Sequence, residues 1–139
     1  MQSHTQKAIL FCTYCSAVKR KERRLLPAIR RYLSPRIRAV YRESKRKGAG
    51  FAILSGQFGL IGPWKKIPHY DHLLKSSEIH ALLPRMVGYL ERKKYRAVRF
   101  YHEPLRHSPR IRAYLKAIAH ACRATGIRLT LIEIAHRRR

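Results

Sequence analysis

Acidic side chains are what this sequence has least of. Seven Asp and Glu stand against 32 Lys and Arg, a formal net charge of +25 over 139 residues. Internal salt bridges therefore cannot absorb the positive excess, and an anionic partner is expected, with DNA or RNA ahead of an acidic protein or anionic membrane. Long apolar runs are also missing. The longest, Ala8 to Cys12 and Phe51 to Leu54, are strand-sized, far from the roughly 18 residues of a membrane span. No membrane partner is expected on that ground. Cysteine is scarce and odd in number, three in all, which argues against a disulfide framework and for a cytoplasmic protein. The polar stretch Met1 to Lys7, followed by a short apolar segment, does not read as a signal peptide. Internal repeats and low-complexity segments are absent. Hydrophobic residues make up 45% of the chain, too many for a disordered basic segment. The length suits one domain over residues 1–139, with a basic tail at 135–139.

Four apolar segments have strand character: Lys7 to Thr13, Gly50 to Ser55, Arg96 to Tyr101 and Arg128 to Ile134. Between them lie helical patterns. A short helix is expected over Leu25 to Leu33. Ser34 followed by Pro35 places an N-cap before a proline at the first helical position, and Gly48 marks the end of that helix. Ile79, Leu82, Leu83, Met86, Val87 and Leu90 share a second helical face, with Pro84 expected to kink or restart it. Ser108 and Pro109 repeat the cap-and-proline signal before a third helix ending at Gly126. Gln57 to Lys75 reads as a long loop. The alternation predicts an α/β fold: a single Rossmann-like domain of three layers around a mostly parallel sheet of about four strands.

In such folds ligands bind beyond the carboxyl ends of the strands, which directs attention to three loops. In the first, Cys15, Ser16 and Lys19 combine exposed backbone N–H groups, a hydroxyl and a cation suited to a phosphate or carboxylate. The alternative is a polar turn whose lysine belongs to the general field. The glycines of a nucleotide-binding P-loop are absent, and no cofactor is expected. In the second, Ser55, Gly56 and Gly59 follow a buried strand and permit close backbone approach. Tyr70 and Asp71 lie further along, and Asp71 is the only aspartate in the chain. It is either a ligand acceptor or an organiser of a basic loop. In the third, Glu103 after His102 has the position of a general base or nucleophile, against the plainer reading of a surface acid paired with Arg106 or Arg110. Tyr14, Phe58, Trp64, His69 and Tyr70 are expected in the loops of the same crevice, where rings stack unpaired bases or pin the loop to the body. Cys12, Cys15, His69 and His72 make up a C-x-x-C and an H-x-x-H, a ligand set of zinc type. Cys12, however, falls inside an apolar strand pattern, where cysteine is a small hydrophobe, and no metal is expected.

Taken in order, Cys15, Ser16 and Lys19, then Leu54, Ser55, Gly59, Leu60 and Ile61, then Pro68, Tyr70 and Asp71 read C-S-x-x-K, L-S-x-x-x-G-L-I and P-x-Y-D. This pattern resembles a family of short bacterial and phage domains, distantly similar to the YaaA peroxide-stress proteins and to a domain of archaeosine synthase. The chain departs from that pattern at Gly56 and Gln57 and at His102 to Pro104. The resemblance implies an α/β domain with a nucleic-acid or nucleotide role: DNA binding on the YaaA-like side, base modification in tRNA on the other. Three functions follow as expectations. One is a module binding DNA or RNA through a positive surface, with a nucleotide or nucleobase crevice. Another is an enzyme acting on a nucleoside or modified base, with Asp71 and Glu103 as its carboxylates. The last is a small ribonucleoprotein subunit.

Overall fold

The four apolar runs become four adjacent strands of one sheet. A computed structural model describes residues 8–135; the stretch Met1 to Lys7 and the basic tail beyond residue 135 lie outside the described residues. The sheet contains β1 (Ile9–Tyr14), β3 (Gly50–Ser55), β4 (Gly59–Ile61), β6 (Ala97–His102) and β7 (Arg128–Glu133), in the order β4-β3-β1-β6-β7. Every neighbouring pair is parallel except β3 with β4. All six residues of β3 are buried, as are Leu10 to Tyr14 of β1, which is why these strands read as continuous apolar runs rather than alternating ones.

The sheet has five strands rather than about four. The additional strand lies in the segment expected to be a loop. Gly59, at φ 78°, takes the left-handed conformation that a side chain resists. It turns the chain so that Leu60 and Ile61 pair back onto Leu54 and Ile53. The same segment holds β5 (Lys66–Ile67), which pairs antiparallel with β2 (Leu26–Pro27) in a small second sheet. The helix expected over Leu25 to Leu33 is thereby replaced by β2 and a single turn, α1 (Ala28–Arg31).

The remaining helices are α2 (Pro35–Lys47), α3 (Ile79–Lys93) and α4 (Arg112–Thr125). Ser34 caps α2 by accepting a bond from the Ile37 N–H, and Gly48 ends it at φ 69°. α3 runs through Pro84 without restarting; the bond forgone at the His80 carbonyl is outweighed by burial of Leu82, Met86 and Leu90. Ser108 does not cap α4. Its hydroxyl donates to Glu103 Oε1 instead, and Pro109 opens a 3-10 turn ahead of the helix. At the end of β1, Thr13 and Tyr14 both meet Arg36 of α2, and the Tyr14 ring also lies 5.8 Å from that of Tyr114 in α4. A single core cluster joins the five-stranded sheet, β5 and the four helices. Among the described residues, no helix is long and apolar enough to cross a membrane.

Candidate functional site

β1 and β6 are neighbours, yet the chain leaves β1 towards β3 and leaves β6 towards β7. The loops after these two strands therefore diverge and leave a crevice at their carboxyl ends, the usual ligand position of open α/β sheets. A cavity of about 740 Å³ occupies it, within the range of about 300–1,000 Å³ typical of small-ligand sites. Cys15, Ser16 and Lys19 line it from the loop after β1, and Asp71 and His72 from the segment before α3. His107 to Ile111 close it from the loop after β6.

Arg36, the second residue of α2, forms part of the wall. Its Nη1 donates to Thr13 Oγ1 at 2.7 Å and to the Tyr14 carbonyl at 2.6 Å, and Nη2 donates to the Cys15 carbonyl. The guanidinium carbon stands 3.6 Å from the Tyr14 ring centroid, a stacked cation–π contact. No carboxylate forms an ion pair with it among the described residues. A cation near the positive end of a helix is unfavourable without a counter-charge. Burial pulls its pKa below the ordinary value, opposed by the nearby Tyr14 and Glu103. Sequence reading does not single out Arg36. Its position two residues after the Ser34 cap was the available signal, because a helix following β1 starts at the sheet's carboxyl edge.

The loop that carries Ser16 and Lys19 is clamped by a second arginine that sequence reading missed. Arg31 is fully buried. Its Nη1 donates to the carbonyls of Arg20 and Glu22, and its Nη2 to those of Arg24 and Ile67. Its Nε is the one buried side-chain nitrogen or oxygen among the described residues with no partner. Backbone bonds Arg20 N–H to Arg31 O and Leu33 N–H to Val18 O complete the clamp. Lys19 is thereby held 7% exposed, with Nζ 4.6 Å from the Tyr70 ring centroid.

Ser55 and Tyr70 lie behind the cavity wall and form a hydroxyl chain. Ser55 Oγ accepts from the Gln57 and Phe58 N–H groups, at 3.1 and 3.0 Å. Both its lone pairs are then used, so its proton goes to Tyr70 OH at 2.8 Å. Tyr70 OH is in turn hydrogen-bonded to Tyr32 OH. Burial raises the pKa of both tyrosines, so the chain is neutral. The L-S-x-x-x-G-L and Y-D pieces thus meet in space through a structural ladder. Gly56 has a related role. A Cβ there would lie 3.0 Å from Leu74 N and from Tyr114 OH, so the missing side chain lets the segment 72–74 cross. Gly59 packs against Arg85 and Leu82 of α3, away from the cavity.

Of the two carboxylates, Asp71 is exposed on the cavity rim. Glu103 is half-buried behind it, held by Ser108 Oγ, while its N–H donates to Tyr14 OH at 3.3 Å. It forms no ion pair with Arg106 or Arg110 among the described residues. His102 is buried in β6, Nδ1 2.9 Å from the Glu103 carbonyl. The zinc-type set is not assembled. Cys12 sits in the core with burial raising its thiol pKa, Cys15 Sγ lies 3.5 Å from Tyr114 OH, His72 pairs with Glu78, and His69 is exposed. Among the described residues no group of three or more metal-ligating side chains is gathered. The expected aromatic crevice is also divided. Tyr14 lines the cavity, whereas Trp64 is carried to the opposite end of the sheet, because β4 runs antiparallel to β3. Comparison of the chain with family models, curated proteins and solved structures returns no match.

Proposed function

We propose that this protein is a nucleic-acid-binding α/β domain, with a positive surface that holds DNA or RNA and a crevice beyond β1 and β6 that takes a phosphate-bearing group of that ligand. The observation that carries the reading is Arg36: a partly buried guanidinium at a ligand-sized cavity, fixed by carbonyl and hydroxyl acceptors and lacking a carboxylate partner. Lys19 and Arg110 add charge to the same walls. Elsewhere, ion pairing among the described residues is limited to Arg24 with Glu22, Arg46 with Glu43 and His72 with Glu78. Most of the net charge of +25 is thus open to a polyanion. We read the arrangement as three-layered and Rossmann-like, of the YaaA-like type, supported by the motif pattern and by the contacts of the end of β1 with both α2 and α4. Three free thiols, all buried, suit a reducing cytoplasm.

Electrophoretic mobility shifts with DNA and with RNA at low salt test the reading. Retardation of either, weakening as salt rises, is expected, since phosphate contacts release counterions. No shift at any protein concentration in low salt refutes it. A second reading, an enzyme acting on a nucleoside or modified base, is favoured by Asp71, the chain's one aspartate, opening onto the same cavity as Arg36. Under that reading a nucleoside or nucleotide raises Tm in a concentration-dependent way that moderate salt does not erase, and Asp71→Asn abolishes turnover.

A further inference from the structure

A second cavity, of about 440 Å³, lies at the amino end of the sheet, opposite the crevice. The starts of β3 and of the segment after β4 border it, with the last turns of α2 and α3 on either side. Three rings line it from separate elements: Tyr41 of α2, Tyr89 of α3, and Trp64 after β4. Tyr95 joins them, its hydroxyl resting on Gly50, where an added Cβ would clash. Tyr41 is braced edge-on against Phe51 at 5.1 Å. Trp64 is 58% exposed and has no ring or hydrogen-bond partner among the described residues. A large exposed indole at the lip of an aromatic cavity marks a binding surface.

The charges there select the occupant. Lys45 Nζ lies 5.8 Å from the Tyr41 ring centroid and Lys93 Nζ 5.7 Å from that of Tyr89. No carboxylate lines the cavity. An aromatic cage for a quaternary ammonium or methylated lysine needs negative or neutral walls, so two ammonium groups argue against a cationic guest. Rings flanked by cations are instead the composition of single-strand nucleic-acid sites, where bases stack and phosphates meet lysine. A base inside a duplex is already stacked on its neighbours and does not present a free face.

We propose that this amino-end cavity stacks an unpaired base of single-stranded nucleic acid, with Trp64 as the platform and Lys45 and Lys93 holding the flanking phosphates. The proposal rests on the nucleic-acid reading but uses a surface separate from the Arg36 crevice. It predicts a preference for single strands that positive charge alone does not create.

Trp64 is the only tryptophan in the chain, so its fluorescence reports on this site alone. The full chain is titrated with an oligothymidylate of about 12 nucleotides, a length that covers a typical single-strand site. Inorganic polyphosphate and a DNA duplex of matched charge serve as comparisons. Affinities come from anisotropy of a labelled oligothymidylate and its displacement by the other two. The expected result is quenching by the single strand and none by polyphosphate, although both bind. Trp64→Ala, at an exposed position, should weaken single-strand binding about 5- to 150-fold, the loss of one stacked base, and leave unchanged the polyphosphate affinity derived from displacement once the weaker binding of the labelled strand is allowed for. Single-strand binding without quenching, equal quenching by polyphosphate, or wild-type affinity in Trp64→Ala overturns the proposal while leaving the nucleic-acid reading standing. Absence of binding by all three probes at low salt overturns both.

Discussion

Arg31→Lys keeps a positive charge in the core and removes the planar fork that uses it. The native guanidinium makes four bonds to carbonyls, two from each terminal nitrogen. Bonds involving a charged group are worth about 1.5–3 kcal/mol each. An ammonium on a shorter, non-planar end reaches about two of these carbonyls, so two bonds are lost, about 3–6 kcal/mol. Against this, the unpartnered Nε disappears, returning about 1–3 kcal/mol. Taking the middle of each range, about 4.5 against about 2 kcal/mol, the net expectation is a destabilisation of about 2.5 kcal/mol, a fall in Tm of roughly 5–15 °C for a domain of this size. Urea unfolding with an unchanged m-value measures it directly. The loop from Ser16 to Arg24 is tied to this clamp, so the variant should also loosen Lys19 and make the loop more sensitive to limited proteolysis. A lysine variant within about 0.5 kcal/mol of the native protein, near the limit of a neutral substitution, would mean that buried charge rather than fork geometry organises the loop.

Three further outcomes follow from the same contacts. Ser55→Ala leaves the Gln57 and Phe58 N–H groups and the Tyr70 hydroxyl without their shared partner, and should cost about 2 kcal/mol in urea unfolding; a neutral effect would contradict the hydroxyl ladder. Arg36→Gln should weaken nucleic-acid binding alike for all sequences and reduce the slope of log K against log salt by about 0.9, one phosphate contact, as read by anisotropy titrations; an unchanged slope removes Arg36 from the interface. Stability should also fall in alkali. Burial raises the Cys122 thiol from 9.0 to about 11, and burial raises Cys12, Tyr14 and Tyr95 as well. Their neutral forms are favoured in the folded state. This contribution is complete below the unfolded thiol value, declines as pH climbs from about 9, and for Cys122 is lost by about 11. Thermal melts across that window check it, and a flat profile would contradict the burial of these groups.

The four long strands were legible as apolar runs. Ile9–Tyr14, Gly50–Ser55, Ala97–His102 and Arg128–Glu133 sit within two residues of the runs that announced them: the first two are almost continuously buried, whereas Ala97–His102 alternates and Arg128–Glu133 lies exposed or half-buried at the sheet edge. The Ser34 and Gly48 boundaries of α2 were legible for a different reason: each is a local device that works with its own neighbours. Short elements held by tertiary partners were not. β4 is three residues long and exists because β3 offers an edge, while β2 and β5 stabilise each other across about forty residues of chain. Ser108 shows the limit of cap signals, since a competing acceptor, Glu103, takes its hydroxyl.

The candidate site divides along the same line. Cys15, Ser16, Lys19 and Asp71 could be placed by strand-end reasoning and do line one cavity. Ser55, Gly56 and Tyr70 carried a recognisable pattern, and the contacts give that pattern a structural cause: a hydroxyl ladder and a crossing of the chain over itself. Among so many basic residues Arg36 had only its place two residues after the Ser34 cap to mark it, and Arg31 had no mark at all, because their roles as site wall and loop clamp depend on which carbonyls surround them. Trp64 was assigned to the wrong end of the sheet for want of β4, whose direction decides where the chain goes next.

The most direct test of the nucleic-acid reading is the salt dependence of oligonucleotide binding, measured by anisotropy from low to moderate ionic strength. Log K should fall linearly with log salt, with a slope of about −3 or steeper, corresponding to three or more neutralised phosphates. No association at low salt, or an affinity that salt leaves unchanged, would contradict the account.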